Sequence, residues 1–366
     1  MLFGGRSAEH DVSRVSAAHV LAAIDPDRYD VVPVGITREG RWQFAEAAAE
    51  LLGSGRALPE SVDVAGPATD PMALARPDGR SGIPTVVIPV LHGPYGEDGT
   101  VQGLLELADL PYVGAGVLGS AVAMDKAMAK TVLDAHGIPQ PRWCSLVAGD
   151  LVEPGLEKRL LDDLGPVVFV KPANMGSSIG VSRADDEESV RAALAEAARY
   201  DDLIVVEQDV GSADGRAREL ECGVLGNLEP RASVVGEIVP AAEFYDYDDK
   251  YSDGAAQTVV PADIGDELSE QVRELAIRTY RALRAEGLAR VDMFLSSGDD
   301  GRGTDGSIIE PRLLVNEINT FPGFTPISMF PKLWAASGLT YSELIDELVG
   351  LALERHERRS RFETGR

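Results

Sequence analysis

The sequence of 366 residues has little cysteine, and its basic residues are few beside its acidic ones. The two cysteines, Cys144 and Cys222, are too few and too far apart to predict a disulfide framework or a zinc site. Lysine and arginine together number 34 against 60 aspartates and glutamates, so the formal net charge is −26. This charge argues against a nucleic acid or an anionic membrane as partner, but it leaves room for a local basic pocket that binds a nucleotide.

Long apolar runs are also missing. No stretch resembles a signal peptide, and none is apolar over the length that spans a membrane. Hydrophobic residues make up 44% and charged residues 26% of the chain, as in an ordinary soluble globular protein. The length predicts about two or three domains. The composition therefore favours a cytoplasmic enzyme.

The most informative stretch runs from Ala289 to Phe324 and predicts two strands joined by a turn rich in glycine and aspartate. Asp292 lies in the first strand, and Glu317 and Asn319 lie two positions apart in the second. Residues i and i+2 of a strand point to the same face, so strand pairing can bring Asp292 beside the other two. Two carboxylates and an amide oxygen form a hard ligand set that suits Mg²⁺ held between protein and phosphate oxygens.

An ordinary acidic hairpin is the alternative interpretation of the same stretch. The acids, however, are embedded among valine, methionine, phenylalanine, leucine and isoleucine, where an unpaired charge is costly. Arg290, two residues before Asp292, is expected on the same face as a fixed positive charge. This setting favours the metal site over the acidic surface hairpin.

The N-terminal part of the chain predicts an open α/β sheet. A short strand and a Gly-Gly turn lead into a helix that is expected to bury Val12, Val15, Ala18 and Ala22. The apolar runs 29–36 and 83–93 are typical of parallel strands covered on both faces. Ligands bind beyond the carboxyl ends of such strands, which makes His92 a candidate, although a histidine that merely caps a strand end is equally consistent.

Glu9 falls in the first turn of the predicted helix, where an acid complements the helix dipole. A Rossmann dinucleotide site is a weak rival here because the G-x-G-x-x-G spacing is absent.

Three lysines lie in the middle of the chain, and one of them precedes a possible phosphate-binding loop. Lys126 and Lys130 lie one turn apart on a helix that is expected to end at Gly137, and by themselves both would be solvated. Lys171 ends an apolar strand and precedes the loop 176–178, whose backbone N–H groups and hydroxyls suit phosphate oxygens. The pattern G-x-x-x-x-G-K-[ST] is absent, which disfavours a P-loop NTPase.

Two further segments complete the interpretation. The polar stretch 241–262 holds three tyrosines and Lys250 and is typical of a lid over an active site, although an ordinary surface excursion is the alternative. Near the C-terminus, Thr340 and Glu343 form a capping box that opens the last helix, and residues 354–366 predict a frayed tail.

Taken in order, these motifs resemble those of one family. The sequence reads GGRSAEHDVS, LHGPYGEDGT, MDKAMAK, KPANMGSSIGVS, EFYDYDDKY, ARVDMF and NEINTFPGFT. Over essentially the whole chain it resembles the D-alanine–D-alanine ligases, which are ATP-grasp enzymes of peptidoglycan synthesis. The resemblance implies an α/β fold of three domains: an open parallel α/β domain over residues 1–115, a central ATP-grasp subdomain over 116–206, and a C-terminal subdomain over 207–366 with the metal site and the lid. The two latter domains would clasp ATP.

The resemblance also implies a reaction and its requirements. Two D-alanine molecules would be joined to D-alanyl-D-alanine through a D-alanyl phosphate, with ATP as co-substrate. Two Mg²⁺ ions would assist, for which Mn²⁺ is expected to substitute, and the enzyme would be a homodimer.

The residues that match the family's motifs fall into four groups. The ATP site would comprise Lys126, Lys171, Ser178, Glu207, Val210, Glu219 and Lys250, although the loop before Glu219 is lengthened here by GSADGRA. The metal ligands would be Asp292, Glu317 and Asn319. The first D-alanine and the lid would be positioned by Glu9, Ser177 and Tyr251, with His92 nearby. The tetrahedral intermediate would be stabilised by Arg290 and Gly323, and the second carboxylate would be held at Ser328 and Met329.

Three alternatives remain at this point. A D-alanine–D-lactate ligase is the closest rival, but Tyr251 within DDKYS favours the dipeptide product because one lid contact can tune specificity. A biotin-carboxylase-like ATP-grasp enzyme would not need Glu9, Ser177 and Tyr251. A regulatory ATP-binding protein that has lost catalysis would be expected to lack Arg290 or a metal ligand.

Overall fold

A computed structural model describes residues 1–54, 57–72, 84–211, 217–240, 256–296, 312–325 and 327–363. The predicted lid residues Lys250 and Tyr251 lie outside the described residues, as does most of the turn predicted after Ser296. Within the described ranges, no helix is both long and apolar enough to cross a membrane.

The first sheet contains four short strands in the order β3-β2-β1-β4. Strand β1 pairs in parallel with β2 and β4, and β3 adds an antiparallel edge. The strands are β1 (Leu2–Gly4), β2 (Val34–Ile36), β3 (Trp42–Phe44) and β4 (Pro89–Val90). The helices of this part are α1 (His10–Ala23), α2 (Glu46–Ser54), α3 (Thr100–Leu107) and α4 (Val117–Met124). The predicted open parallel sheet is confirmed, with β3 as an unpredicted antiparallel addition.

Helix α1 forms where expected, but its buried face was predicted wrongly. Of the four residues expected inside, only Ala18 is buried, whereas Ala22 is exposed. The buried face instead includes Ser13 and Ser16, both fully buried. Serine hydroxyls can be buried at little cost when they are hydrogen-bonded, and both have partners in this fold. A count of apolar residues at helical spacing cannot detect such a face.

The second sheet is antiparallel, in the order β5-β8-β6-β7. Its strands are β5 (Trp143–Val147), β6 (Val168–Pro172), β7 (Ser182–Ala184) and β8 (Leu203–Gln208). Helices α6 (Leu156–Leu164) and α7 (Glu187–Ala197) supply leucines and Val190 to the core under this sheet. Helix α5 (Lys126–Ala135) precedes it and ends as predicted, since Gly137 has a φ of +62°.

The third sheet is a five-stranded antiparallel sheet, in the order β11-β10-β9-β12-β13. Its strands are β9 (Arg218–Gly226), β10 (Arg231–Pro240), β11 (Ala256–Val259), β12 (Gly287–Ser296) and β13 (Arg312–Asn319). Helix α8 (Asp266–Ala282) packs its apolar stripe, including Val272 and Leu275, on one face. Helix α9 (Met329–Ala336) packs against β9 and β10.

The last helix, α10, spans Tyr341–Ser360 and opens with the predicted capping box, in which Thr340 and Glu343 exchange hydrogen bonds. The predicted frayed tail is wrong for residues 354–360, which belong to α10. Arg355 is buried, donates to the carbonyl oxygens of Tyr112 (2.8 Å) and Gly114, and lies 4.3 Å from the centre of the Tyr112 ring. Because these partners lie far away in the chain, a reading of the charged C-terminal stretch alone could not reveal that it is anchored.

Candidate active site

Two adjoining cavities lie between the three sheets. The larger, of about 780 Å³, is bordered by the second and third sheets and helix α5, and the smaller, of about 290 Å³, by the first part of the chain, the third sheet and α9. They share the border residues Glu9, Glu97, Ser177, Glu219, Phe294, Asn316, Glu317 and Asn319. Every predicted site residue within the described ranges borders one cavity or both.

The strand pairing predicted for the acidic residues is confirmed. Asp292 of β12 lies directly opposite Glu317 of β13, and Arg290 lies opposite Asn319. On the other side of β12, Asp292 lies opposite Glu221 of β9. Three carboxylates therefore stand in a row across three neighbouring strands, an arrangement that is unfavourable unless positive charge offsets it.

Arg290 provides part of that positive charge. Its guanidinium donates to both carboxylate oxygens of Asp292, each at 2.7 Å, and lies 3.0 Å from a carboxylate oxygen of Glu221. The amide nitrogen of Asn319 donates a further bond to Asp292 at 2.9 Å. Although burial opposes ionisation, Asp292 and Glu221 hold the pKa of the Arg290 guanidinium well above its ordinary value. One permanent cation is thus fixed among several acids.

The donor chemistry of this wall suits a hard cation. Asp292 and Glu317 offer carboxylate oxygens and Asn319 an amide oxygen, all on the border of the smaller cavity. Within the described ranges, histidine, cysteine, aspartate and glutamate form no group of three that could hold a metal by themselves. A cation here would therefore complete its coordination with oxygens from a ligand, as Mg²⁺ does with phosphates.

A second charged cluster lies in the larger cavity. The Glu207 carboxylate lies 3.0 Å from Nζ of Lys171 and 3.2 Å from Nζ of Lys130. Burial opposes ionisation of Glu207, yet the two lysines hold its pKa below the ordinary value. Nearby, Nζ of Lys126 donates to the carbonyl oxygen of Met175 at 2.6 Å.

Lys130 is a site residue that the sequence interpretation missed. Its pattern suggested a solvated lysine, but only 2% of it is exposed, and burial lowers the pKa of its ammonium. Its partner Glu207 lies 77 residues further along the chain, on strand β8, so the local sequence around Lys130 carries no sign of the pairing.

The loop 176–178 closes over the first part of the chain. The Ser177 hydroxyl donates to Oε1 of Glu9 at 2.5 Å. Ser177 and Ser178 have φ values of +51° and +57°, which are uncommon for residues other than glycine. A Cβ atom at Gly176 would lie 2.8 Å from Oε2 of Glu9, so a side chain at that position would displace the Glu9 carboxylate. Glu9 and Ser177, which the family resemblance assigns to the first D-alanine, thus lie in contact, and Tyr251 falls outside the described residues.

His92 is buried between helix α1 and the loop after β13, on the border of the smaller cavity. Its Nδ1 atom lies 3.3 Å from the carbonyl oxygen of Phe321, and its Nε2 atom lies 3.1 Å from the hydroxyl of Ser16. A carbonyl oxygen only accepts, so Nδ1 carries the proton and Nε2 accepts from Ser16. Burial lowers the pKa of the His92 imidazole, in keeping with this neutral form.

Glu97 is a second residue that the sequence interpretation did not select, although it lies within the motif HGPYGEDGT. One carboxylate oxygen accepts from the backbone of Gly93 at 2.8 Å and the other from that of Phe321 at 3.4 Å. Burial, with the charge of Glu9 added, raises the pKa of Glu97 to about 8. Its side chain borders both cavities.

The remaining predicted residues lie around the smaller cavity. The residues that border it include Gly323, Ser328 and Met329. The hydroxyls of Thr325 and Ser328 are hydrogen-bonded to each other at 2.8 Å just before helix α9. Val210 and Ser178 border the larger cavity, and Glu219 borders both. The structure thus brings together all the predicted residues that it describes.

Known proteins resemble this chain along its whole length. Family models of the D-ala D-ala ligase N-terminus and C-terminus match residues 1–115 and 132–350. The chain is 44% identical to the D-alanine–D-alanine ligase of Thermoanaerobacter sp., covering 99% of this chain and 98% of the relative. It is 46% identical to that of Kineococcus radiotolerans, covering 97% and 96%. The structure of the D-alanine–D-alanine ligase from Coxiella burnetii matches with a TM-score of 0.75 and 36% identity, covering 98% and 96%.

Proposed function

The chain belongs to the D-alanine–D-alanine ligase family, and from this membership we infer that it is an ATP-dependent ligase that joins two D-alanine molecules. The product is D-alanyl-D-alanine, a peptidoglycan precursor, and ADP and phosphate are released. The single observation that best supports this reaction in the structure is the pair of adjoining cavities, one with lysines and the other with Arg290 and carboxylates on its border.

We propose that the larger cavity binds ATP. Lys126 and Lys171 supply positive charge for the phosphates, and the loop at Ser178 adds a hydroxyl and backbone N–H groups. Glu207 and Val210 are assigned to the adenine and Glu219 to the ribose hydroxyls. Lys171 is paired with Glu207 in this structure, so nucleotide binding would draw its ammonium toward phosphate. Lys250 is assigned to the transferred phosphate on the basis of the family resemblance alone.

Asp292, Glu317 and Asn319 are the residues that would hold Mg²⁺, as two ions, with Mn²⁺ expected to substitute. When bound, the ions would neutralise phosphate charge. The carboxylate row across β9, β12 and β13 supports this assignment, because carboxylate oxygens are ligands that a hard cation prefers.

The first D-alanine is assigned to Glu9, Ser177 and His92, with Tyr251 closing the lid. Oε1 of Glu9 and the Ser177 hydroxyl lie on the border shared by the two cavities, where the carboxylate of a bound D-alanine would meet the γ-phosphate of ATP. Transfer of the phosphoryl group converts a carboxylate, which is a poor acyl donor, into an acyl phosphate with a good leaving group.

The second D-alanine is assigned to the part of the smaller cavity near Ser328 and Met329. Its amine attacks the acyl phosphate, and negative charge develops on the former carbonyl oxygen. Arg290 and the backbone N–H of Gly323 are placed on the border of this cavity and would stabilise that oxyanion. The attack forms the carbon–nitrogen bond; the intermediate then collapses by breaking the carbon–oxygen bond to phosphate, and the attacking nitrogen loses a proton to give the neutral amide.

We also propose that the chain divides into domains at residues 1–115, 116–206 and 207–366; the three separate sheets support a division into three, and strand β8 of the second sheet runs two residues past the boundary at 206. A homodimer acting in the cytoplasm, where ATP is present, completes the proposal. Leu107 and Leu118 are exposed on two helices that pack against each other, and such apolar side chains are available for a subunit contact. Light scattering of the purified protein tests the dimer.

The reaction is tested by supplying Mg-ATP with D-alanine, with L-alanine, or with D-alanine and excess D-lactate. Phosphate is measured and the products are resolved by mass. Phosphate release coupled to formation of D-alanyl-D-alanine supports the proposal, including the preference for the dipeptide product that we infer from Tyr251. A depsipeptide product would overturn the specificity, and a folded protein without D-alanine-dependent turnover would overturn the activity.

A further inference from the structure

The loop that carries Gly323 is held by residues from the first part of the chain. The backbone N–H of Phe324 donates to the Ser16 hydroxyl at 3.4 Å, and the carbonyl oxygen of Phe321 accepts from His92 at 3.3 Å. On the other side of Phe321, its N–H donates to Glu97 at 3.4 Å. Gly323 lies between these two anchored residues.

Ser16 connects the two anchors. Its hydroxyl donates to Nε2 of His92 at 3.1 Å and accepts from the N–H of Phe324, so its donor and one of its acceptor positions are both used. The donor direction also fixes the tautomer in which His92 donates to Phe321. A single buried hydroxyl therefore orients both the histidine and the loop.

Ser16 itself does not touch substrate. It is fully buried, and among the described residues that border the two cavities it is absent. Phe321, Gly323 and His92 all border the smaller cavity, so any effect of Ser16 on chemistry passes through them. The aromatic rings of Phe321 and Phe324, with centres 5.5 Å apart, pack against each other and link the two ends of the loop.

We propose that Ser16 is a positioning residue for acyl transfer: it holds the Phe321–Phe324 loop so that the Gly323 N–H faces the developing oxyanion. This inference rests on the proposed function, because it is that function which places the oxyanion beside Gly323. Loss of the Ser16 hydroxyl would leave the loop packed but less well oriented, and small displacements of catalytic groups are costly.

Helix α1 offers a matched control. Ser13 is one turn earlier, is equally buried, and has a hydroxyl that accepts from Gly4 at 2.7 Å and donates to Val90. Its partners belong to strands β1 and β4, away from the loop. Ser13→Ala and Ser16→Ala are therefore the same chemical change at similar burial, but only Ser16→Ala removes a hydrogen bond to the loop.

The experiment compares both variants with the wild type by steady-state kinetics and by hydrogen exchange. We expect Ser16→Ala to lower kcat by about tenfold and to leave the KM for ATP within about twofold, because positioning of the reacting groups is lost and the nucleotide site is unchanged. Backbone exchange at 321–324 is expected to become about fivefold faster through loss of one hydrogen bond. Ser13→Ala should alter neither kcat nor exchange in that segment.

Equal kinetics for the two alanine variants, or unchanged exchange at 321–324 in Ser16→Ala, would overturn the inference. The exchange measurement needs no turnover, so it decides the role of Ser16 in the loop even if the wild type makes no dipeptide, which would instead be a failure of the proposed function. If Ser16→Ala does not fold, Ser16→Cys, which keeps a weak donor, is measured in its place. Kinetics equal to those of Ser13→Ala, or unchanged exchange at 321–324, would then overturn the inference in the same way.

Discussion

The Ser177 hydroxyl donates to Oε1 of Glu9 at 2.5 Å, although 168 residues separate the two in the chain. The bond joins the loop after β6 to the start of α1, and it lies where the two cavities meet. A hydrogen bond to an ionised carboxylate is about twice as strong as a neutral one. This contact therefore joins the loop that we propose binds phosphate to the residue assigned to the first D-alanine.

Replacing Glu9 by glutamine should impair the use of D-alanine more than the binding of ATP. We expect kcat/KM for D-alanine to fall roughly 10- to 100-fold, since a hydrogen bond to a charged group is worth about 1.5–3 kcal/mol. The KM for ATP should change little. Glu46→Gln, in the first turn of α2, serves as the control. Equal losses for D-alanine and ATP would contradict the role of Glu9.

Lys130→Met should destabilise the fold, because Glu207 would remain buried with Lys171 as its one remaining ion-pair partner among the residues that the structure describes. Breaking a buried pair from one side typically costs about 3–5 kcal/mol. Urea unfolding measures this loss in the free energy of unfolding. Lys158→Met removes an exposed pair with Asp162 and should cost less than about 0.5 kcal/mol. If the two variants proved equally stable, Lys130 would not stabilise the fold through its buried pairing with Glu207.

The pH dependence of stability should carry a contribution from Glu97. Its pKa rises from 4.5 to about 8 on folding, mainly through burial, so between these values the folded chain holds a proton that the unfolded chain has lost. The free energy of unfolding therefore falls as pH rises through this window, by at most about 1.4 kcal/mol per pH unit.

Glu97→Gln stays neutral at every pH and should flatten that slope. Urea unfolding of both proteins from pH 5 to 8.5 measures the difference, with the exposed Glu60→Gln as control. As the pH rises, the free energy of unfolding of the variant should increase relative to that of the wild type. Parallel stability curves would show that Glu97 ionises at its ordinary pKa.

Removal of the metal should stop turnover, and Glu317→Gln should raise the Mg²⁺ concentration that gives half-maximal activity. Replacing one of two carboxylates by a neutral amide weakens the attraction for a hard cation. Phosphate release is followed during a Mg²⁺ titration at saturating ATP. Glu354→Gln, exposed on α10, is the control. An unchanged titration for Glu317→Gln would exclude this residue from the metal site.

Much of the fold and most of the site were predictable, for reasons that particular residues make clear. Asp292, Glu317 and Asn319 were placed together because strand periodicity and hairpin pairing are local rules, and the register confirms them. The end of α5 at Gly137 and the capping box at Thr340 are equally local. The family resemblance, now confirmed, supplied the order of the parts.

The errors have one common cause. The sequence pattern predicts Lys130 in solvent and Arg355 in a frayed tail, and it gives no sign that Ser16 has a role. Each of these polar side chains is buried against a partner far away in the chain. Lys130 pairs with Glu207, Arg355 donates to the carbonyl oxygens of Tyr112 and Gly114, and Ser16 contacts His92. The spacing of apolar residues indicates which face of a helix or strand is hydrophobic, but it does not reveal a polar side chain that is buried because it is hydrogen-bonded or ion-paired.

The sequence by itself determined the family, the α/β class, the local elements and the types of side chain that the reaction needs, because these depend on composition, short-range periodicity and motif order. Only the tertiary structure decided which polar groups pair inside the molecule: Glu9 with Ser177, Lys130 with Glu207, and Ser16 with His92. Such pairs form when separate sheets and helices pack, and the free energy of burying a polar or charged group depends on the partner that packing brings to it.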